Sequence, residues 1–176
     1  MPFKTSLCLG DLAHFVKDSC DCSESVLETY VSTESMLSNK SGIELADSVP
    51  QSGSVSRYKT GDILVSNIRP YFKKIWKADK CGTCSNDILV IRPYDVNLID
   101  YLYALLSDDR FFDYIMLGSK GTKMPRGDKN QIILYPIQEK IKAEMLAVGK
   151  IIATIDSKII LNQSINDNLG GASFAS

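Results

Sequence analysis

The sequence predicts an α+β fold: a mixed-sheet domain over residues 1–135, a long carboxy-terminal coiled-coil helix over 136–169, and a flexible tail over 170–176. Three observations predict it. Short β-branched runs lie between turn residues, apolar residues recur at three- and four-residue steps from Leu98 to Leu117, and a sustained heptad seam follows Pro136.

In chain order, the first quarter is polar and turn-rich, with Ser38-Asn-Lys-Ser-Gly42 and Pro50-Gln-Ser-Gly53 as loop signals. Weak strands are expected near Glu28 to Ser32 and around Val55. Asp62-Ile-Leu-Val-Ser66 reads as a strand leaving the turn Lys59-Thr-Gly61. Pro70 stops any helix and biases Arg69 toward extended backbone. Ile75 to Ala78 and Asp87 to Ile91 read as further strands, with Lys80-Cys-Gly-Thr83 as the connection. Leu98, Tyr101, Leu102, Leu105, Phe112, Ile115 and Met116 mark two helices broken near Ser107-Asp-Asp109, where Asp108 suits a cap, and Gly118 ends the second. A basic, glycine-bearing loop over 118–130 precedes a last expected strand, Gln131 to Tyr135.

The heptad seam is Ile141, Met145, Val148, Ile152, Ile155 and Ile159, continuing to Asn162, Asn166 and Leu169, with Gly170-Gly171 as a stop signal. A helix over 138–169 is a rod of about 48 Å, longer than the preceding domain covers. Part of its apolar stripe then meets another protein surface, most simply a second copy of the chain. The alternative is an amphipathic helix folded back on its own domain.

With 176 residues, 44% of them apolar and 23% charged, the chain suits one globular unit with a projecting element. A net charge of −1 excludes a globally basic, histone-like binder. No apolar run approaches a membrane span, and Met1 to Gly10 lacks signal-peptide features, so a cytoplasmic protein without a membrane partner is expected. Five cysteines, an odd number, argue for reduced thiols. Cys20-Asp-Cys22 and Cys81-Gly-Thr-Cys84 could supply four thiolates, but their separation is not a standard zinc spacing, and no cofactor or metal is expected.

Catalytic motifs are sparse. His14 has no recognisable partner, and neither phosphate-cradling glycine loops nor a zinc-protease helix occurs. Asn67-Ile-Arg-Pro-Tyr71 resembles an adenine-methyltransferase signature but carries an extra residue and has no glycine-rich cofactor site beside it. Asp156-Ser-Lys158 lies inside the heptad helix, which disfavours a nuclease. No catalytic residue is assigned.

Charge is distributed unevenly. Residues 1–56 hold three lysines against eight acids, 57–80 hold seven cations against two acids, and 118–129 hold four cations against one. Two basic islands in an acidic background can form a one-sided polyanion face, because attraction to phosphate is screened over about 8–10 Å. Arg69, Tyr71, Lys73, Lys74 and Trp76 interleave cations with aromatics, and an extended chain puts Arg69, Tyr71 and Lys73 on one side. Gly118 to Asp128 adds flexible glycines, hydroxyls and cations, the groups that hold phosphates. The candidate DNA-binding residues are Arg57, Arg69, Tyr71, Lys73, Lys74, Lys120, Thr122, Lys123 and Arg126. Arg126, following Pro125, is the one expected to be held most rigidly, as a base reader. The candidate dimerisation residues are Ile141, Met145, Val148, Ile152, Ile155, Ile159 and Asn162.

Four segments together, Thr60 to Trp76, Cys84 to Val90, Gly118 to Arg126, and Ile155 to Ile159 with Leu161-Asn162 and Ile165-Asn166, resemble the specificity subunit of type I restriction-modification systems. The resemblance covers nearly the whole chain. It implies a non-catalytic, sequence-specific reader of double-stranded DNA that docks methyltransferase (modification) subunits, and through them the restriction subunit, onto a bipartite target. It also implies a target-recognition domain followed by one helical conserved region. Family members carry two of each, so this chain resembles a half-subunit, expected to act as a homodimer with antiparallel helices. The alternative is an adaptor that binds the methyltransferase through its helix without reading DNA.

Overall fold

The computed structural model describes residues 7–121, 123–138 and 140–172. In chain order its elements are β1 (Leu7–Cys8), α1 (Leu9–Leu12), β2 (Ala13–Phe15), β3 (Ser19–Asp21), β4 (Tyr30–Val31), β5 (Ser54–Tyr58), β6 (Ile63–Ser66), β7 (Ile75–Lys77), β8 (Gly82–Cys84), β9 (Ile88–Pro93), α2 (Ile99–Leu106), α3 (Asp109–Leu117), α4 (Lys129–Ile132), β10 (Pro136–Ile137) and α5 (Lys142–Ala172). Mixed α+β architecture is as expected.

The central sheet, ordered β2-β9-β6-β7, is antiparallel throughout. Its strands are buried on both faces, which is why their sequences are continuous apolar runs rather than alternating ones. Ile63, Val65, Ile75, Leu89 and Ile91 face α2 and α3, whereas Leu64, Trp76, Ile88 and Val90 face a second sheet. That second sheet, β3-β5-β8-β4, pairs β4 with β8 in parallel and the others antiparallel. Tyr58, Cys84 and Val31 from it close the second core. The layers are therefore helices, central sheet and smaller mixed sheet. Buried Asp62 anchors the start of β6, accepting two hydrogen bonds from Arg92 at 2.7 Å and one from the Lys59 amide at 2.8 Å.

Four local expectations are corrected. Gly82–Cys84 is a strand, β8, and not only a connection, because Thr83 and Cys84 fill the slot between β4 and β5. Gln131 to Tyr135 is not a strand: Asp128 caps α4 by accepting from the Asn130 amide at 2.8 Å, and helical geometry buries Ile132. The following carbonyls of Ile133 and Tyr135 accept from Gly10 and Leu9. The strand in this region is instead Pro136–Ile137, paired with β1, so the last helix begins at Lys142 rather than directly after Pro136. It also continues through Gly170-Gly171. The fourth correction, at Arg69, belongs to the site below. The break between α2 and α3 falls where expected, with Asp108 accepting from the Arg110 amide at 2.9 Å.

At 31 residues, α5 is about 46 Å long. Its first turns pack on the chain's own domain: Met145 is buried in the main core, with Leu146 and Val148 against it. Gly149 lies so close to α2 that a Cβ there would sit 2.8 Å from the Tyr101 nitrogen. Among the described residues no helix is long and apolar enough to cross a membrane.

Candidate nucleic-acid interface

Between β6 and β7 the chain makes a single 3₁₀ turn, Pro70–Phe72, flanked by Arg69 (φ 49°) and Lys73 (φ 53°) in the left-handed region. Arg69 is thus not extended, and side-chain alternation does not place Arg69, Tyr71 and Lys73 on one side. Left-handed backbone is unfavourable for residues with a Cβ, at about 1–2 kcal/mol each, so something must enforce it. The opposing loop does. Asn39 and Lys40, also left-handed, donate backbone hydrogen bonds to the carbonyls of Phe72 (2.8 Å) and Lys73 (2.9 Å). Below them the Asp109 carboxylate, in the first turn of α3, binds Lys40 Nζ at 2.7 Å and Lys73 Nζ at 2.8 Å. Those bonds, Lys40 first, hold Asp109 below the usual carboxylate range, and Asp109 in turn raises Lys73.

The second basic island folds onto the first. Lys120 and Arg126 exchange two backbone hydrogen bonds of 3.0 Å, closing a hairpin in which Gly121 takes φ 95°. The hairpin is fixed to the turn by the Arg69 amide donating to the Pro125 carbonyl at 2.8 Å, and by the pairing of Ile68 with Arg126. Pro125 is buried, and the exposed Arg126 guanidinium pairs with Asp87 at 3.0 Å. Lys120 lies 3.5 Å from Asp128, the α4 cap. Among the described residues Arg69 and Lys123 make no ion pair.

The turn carrying Arg69, Tyr71, Lys73 and Lys74 and the hairpin carrying Lys120, Lys123 and Arg126 thus lie against one another. Lys74 is tied through Nζ to the Thr33 carbonyl at 2.6 Å and stands 5.9 Å from the Phe72 ring centre. Thr122 lies outside the described residues. Arg57 is not brought here: it sits on β5 in the second sheet, paired with Glu24 and close to Asp18. Nor is Trp76, which is buried edge-on against Tyr58 in the second core. Sequence reasoning missed Phe72, exposed beside Tyr71, because strand alternation assigned it to the opposite side. It also missed Asp87 and Asp109, whose distance along the chain gives no signal of their lysine and arginine partners.

The heptad residues divide. Met145 and Val148 pack on the chain's own core, and Ile152 lines a cleft with Tyr101 and Leu105. Ile141, Ile155, Ile159 and Asn162 are exposed, as are Ile151, Leu161 and Ile165. The side chain of Asn166 lies outside the described part. Folding back on the domain thus accounts for the first turns of the helix, and Ala153, Ser157 and Ile159 still line an open cleft with Trp76 and Tyr103, whereas Ile155, Leu161 and Ile165 are exposed.

The remaining candidates are dispersed. His14 stacks on Tyr94 with ring centres 5.1 Å apart. The side-chain oxygen of Asn67 is buried without a hydrogen-bond partner among the described residues, not poised at a cleft for a base. Cys20 and Cys22 lie in a small third core and Cys84 in the second, while Cys81 is exposed. Among the described residues no three His, Cys, Asp or Glu side chains converge as a metal site.

No protein-family model and no curated protein matches this sequence. Solved structures do. A chain from a study of complex assembly and conformational transition of the type I R-M system superposes with TM-score 0.66 at 18% identity, over 95% of this chain and 46% of its own. The HsdS subunit from Thermoanaerobacter tengcongensis gives 0.61 at 19% identity, over 94% and 44%, and the type I restriction-modification S subunit from M. genitalium gives 0.61 at 14%, over 91% and 41%. The chain spans less than half the length of each. The chain therefore has the fold of type I restriction-modification specificity subunits, over less than half of their length.

Proposed function

We propose that the chain is a non-catalytic DNA-recognition subunit of a type I restriction-modification complex. In this reading residues 1–135 form the target-recognition domain and 136–169 the helical region that docks methyltransferase subunits and, through them, the restriction subunit. The observation that carries the reading is the union of the two basic islands by the Arg69 amide and Pro125 carbonyl hydrogen bond. It supports the reading because it brings cations far apart in sequence next to one another, and lysine and arginine are among the groups that contact phosphate.

One recognition domain reads one short half-site. The exposed apolar residues of α5 support a homodimer through an antiparallel coiled coil, with the recognition domains at opposite ends. Dividing the helix length of about 46 Å by 3.4 Å per base pair gives about 14 base pairs between domain centres, an upper bound. Two-fold symmetry then requires the same half-site twice in inverted orientation, giving an interrupted palindrome.

The test is a titration of duplex DNA at several salt concentrations with the wild-type chain and with Lys120→Ala/Lys123→Ala/Arg126→Ala. Weaker binding is expected, with a log–log salt slope smaller by up to about 0.9 for each phosphate the variant no longer neutralises. Unchanged affinity and slope would move the DNA face elsewhere.

A further inference from the structure

We infer that Tyr71 and Phe72 form an aromatic wedge that inserts at a base step of bound duplex DNA and unstacks it, with Arg69 and Arg126 at the flanking phosphates. The inference rests on the DNA-reading proposal and adds a mode of contact to it.

The two rings lie side by side, centres 4.7 Å apart and tilted by 53°, with Tyr71 47% and Phe72 39% exposed. Adjacent aromatics left half in water on a turn give the folded chain little burial. The turn also carries left-handed backbone at Arg69 and Lys73. A conformation that is strained and leaves apolar surface wet persists only if its surroundings over-determine it. Here they do, through the carbonyl bonds from Asn39 and Lys40, the Arg69 amide on Pro125, and the Asp109 clamp on Lys40 and Lys73. Buried Pro70 fixes the base of the turn. The result is a rigid apolar tip whose shape does not depend on a partner.

Its rim selects the partner. Arg69 precedes the tip, Lys74 stands over Phe72, and the hairpin carrying Lys120, Lys123 and Arg126 is hydrogen-bonded to its flank. Of the carboxylates around it, Asp109 and Asp87 are engaged by lysine or arginine, and Glu34 shares a small pocket with Arg69, Phe72 and Lys74, where cations still outnumber it. An apolar tip inside a cationic rim complements a polyanion with an apolar interior, and the stacked bases of duplex DNA meet that description. Inserted side chains partly unstack a step and kink the duplex, and pyrimidine–purine steps such as TA yield most readily.

The experiment uses the full chain and two 30-base-pair duplexes, one centred on alternating TA steps and one on an A-tract, each with 2-aminopurine replacing a central adenine. Anisotropy of an end label reports binding, and 2-aminopurine emission reports unstacking. Emission is expected to rise several-fold on saturation of the TA duplex and less on the A-tract. Tyr71→Ala/Phe72→Ala should abolish the rise at saturation and weaken binding about tenfold, with the salt slope unchanged. Tyr71→Phe should retain the rise, and because both rings are exposed the double variant should keep the emission of buried Trp76. Binding by the wild-type chain without a rise, or an equal rise with the double variant, overturns the wedge and leaves the DNA reading standing. No anisotropy change with either duplex at low salt overturns the DNA reading itself.

Discussion

Asn39, Lys40, Arg69 and Lys73 adopt left-handed backbone although none is glycine, and all four belong to the two loops that hydrogen-bond to each other at the basic surface. Strain gathered in one place persists here because several hydrogen bonds between the two loops hold it. The cysteines differ from one another for equally local reasons. At Cys81 hydrogen bonds from the Thr60 backbone and hydroxyl hold the exposed thiol below its ordinary value of 9.0, whereas burial pushes Cys84 up to about 12. A depressed pKa means more thiolate at a given pH, and the thiolate is the nucleophile. Iodoacetamide at pH 8 should therefore modify Cys81 first and Cys84 only after unfolding, as peptide mass spectrometry would register. Labelling of Cys84 in the folded chain at the Cys81 rate would contradict this packing.

At the scale of elements, the contact between α2 and α5 depends on one glycine. Elsewhere in a helix Gly→Ala gains about 1 kcal/mol in propensity. At Gly149 the added methyl would meet the backbone of Tyr101 at 2.8 Å, and backbone cannot rotate away as a side chain can. Overpacking of this kind costs about 1–3 kcal/mol, so Gly149→Ala should destabilise the chain by about 1 kcal/mol net. That is a fall in Tm of roughly 3 °C for a chain of this size. A higher Tm by circular dichroism would mean that α5 does not rest on α2 in solution. Met145, buried on the same face, makes the neighbouring contact.

For the whole molecule, the decisive matter is what covers the later turns of α5. Ile155 is about half exposed, so Asp there leaves the monomer's core intact while placing charge on the stripe, whereas Ile159 lines a cleft with Trp76 and Tyr103 of its own domain. In sedimentation velocity the wild-type chain is expected to run as a dimer, and Ile155→Asp as a folded monomer. Ile152 would be a poor choice for the same test, because it packs beside Tyr101 and its substitution damages the fold first. A wild-type chain that stays monomeric at micromolar concentration removes the homodimer and the palindromic target, and leaves the recognition domain untouched.

The central strands, the helix break at Asp108 and the periodic last helix were legible in the sequence, because β-branched runs, capping acids and apolar spacing act between residues a few positions apart. The basic islands were legible as charge, but not as neighbours. Tertiary structure decided that, since it depends on the Arg69 amide reaching Pro125, on Asp87 and Asp109 arriving from other elements, and on a turn whose backbone overrides the extended preference of a residue before proline. The same limit applies to α5. Periodicity determines which face of a helix is apolar, whereas only the packed structure decides where that face meets its own domain, because burial depends on surfaces brought together from distant parts of the chain.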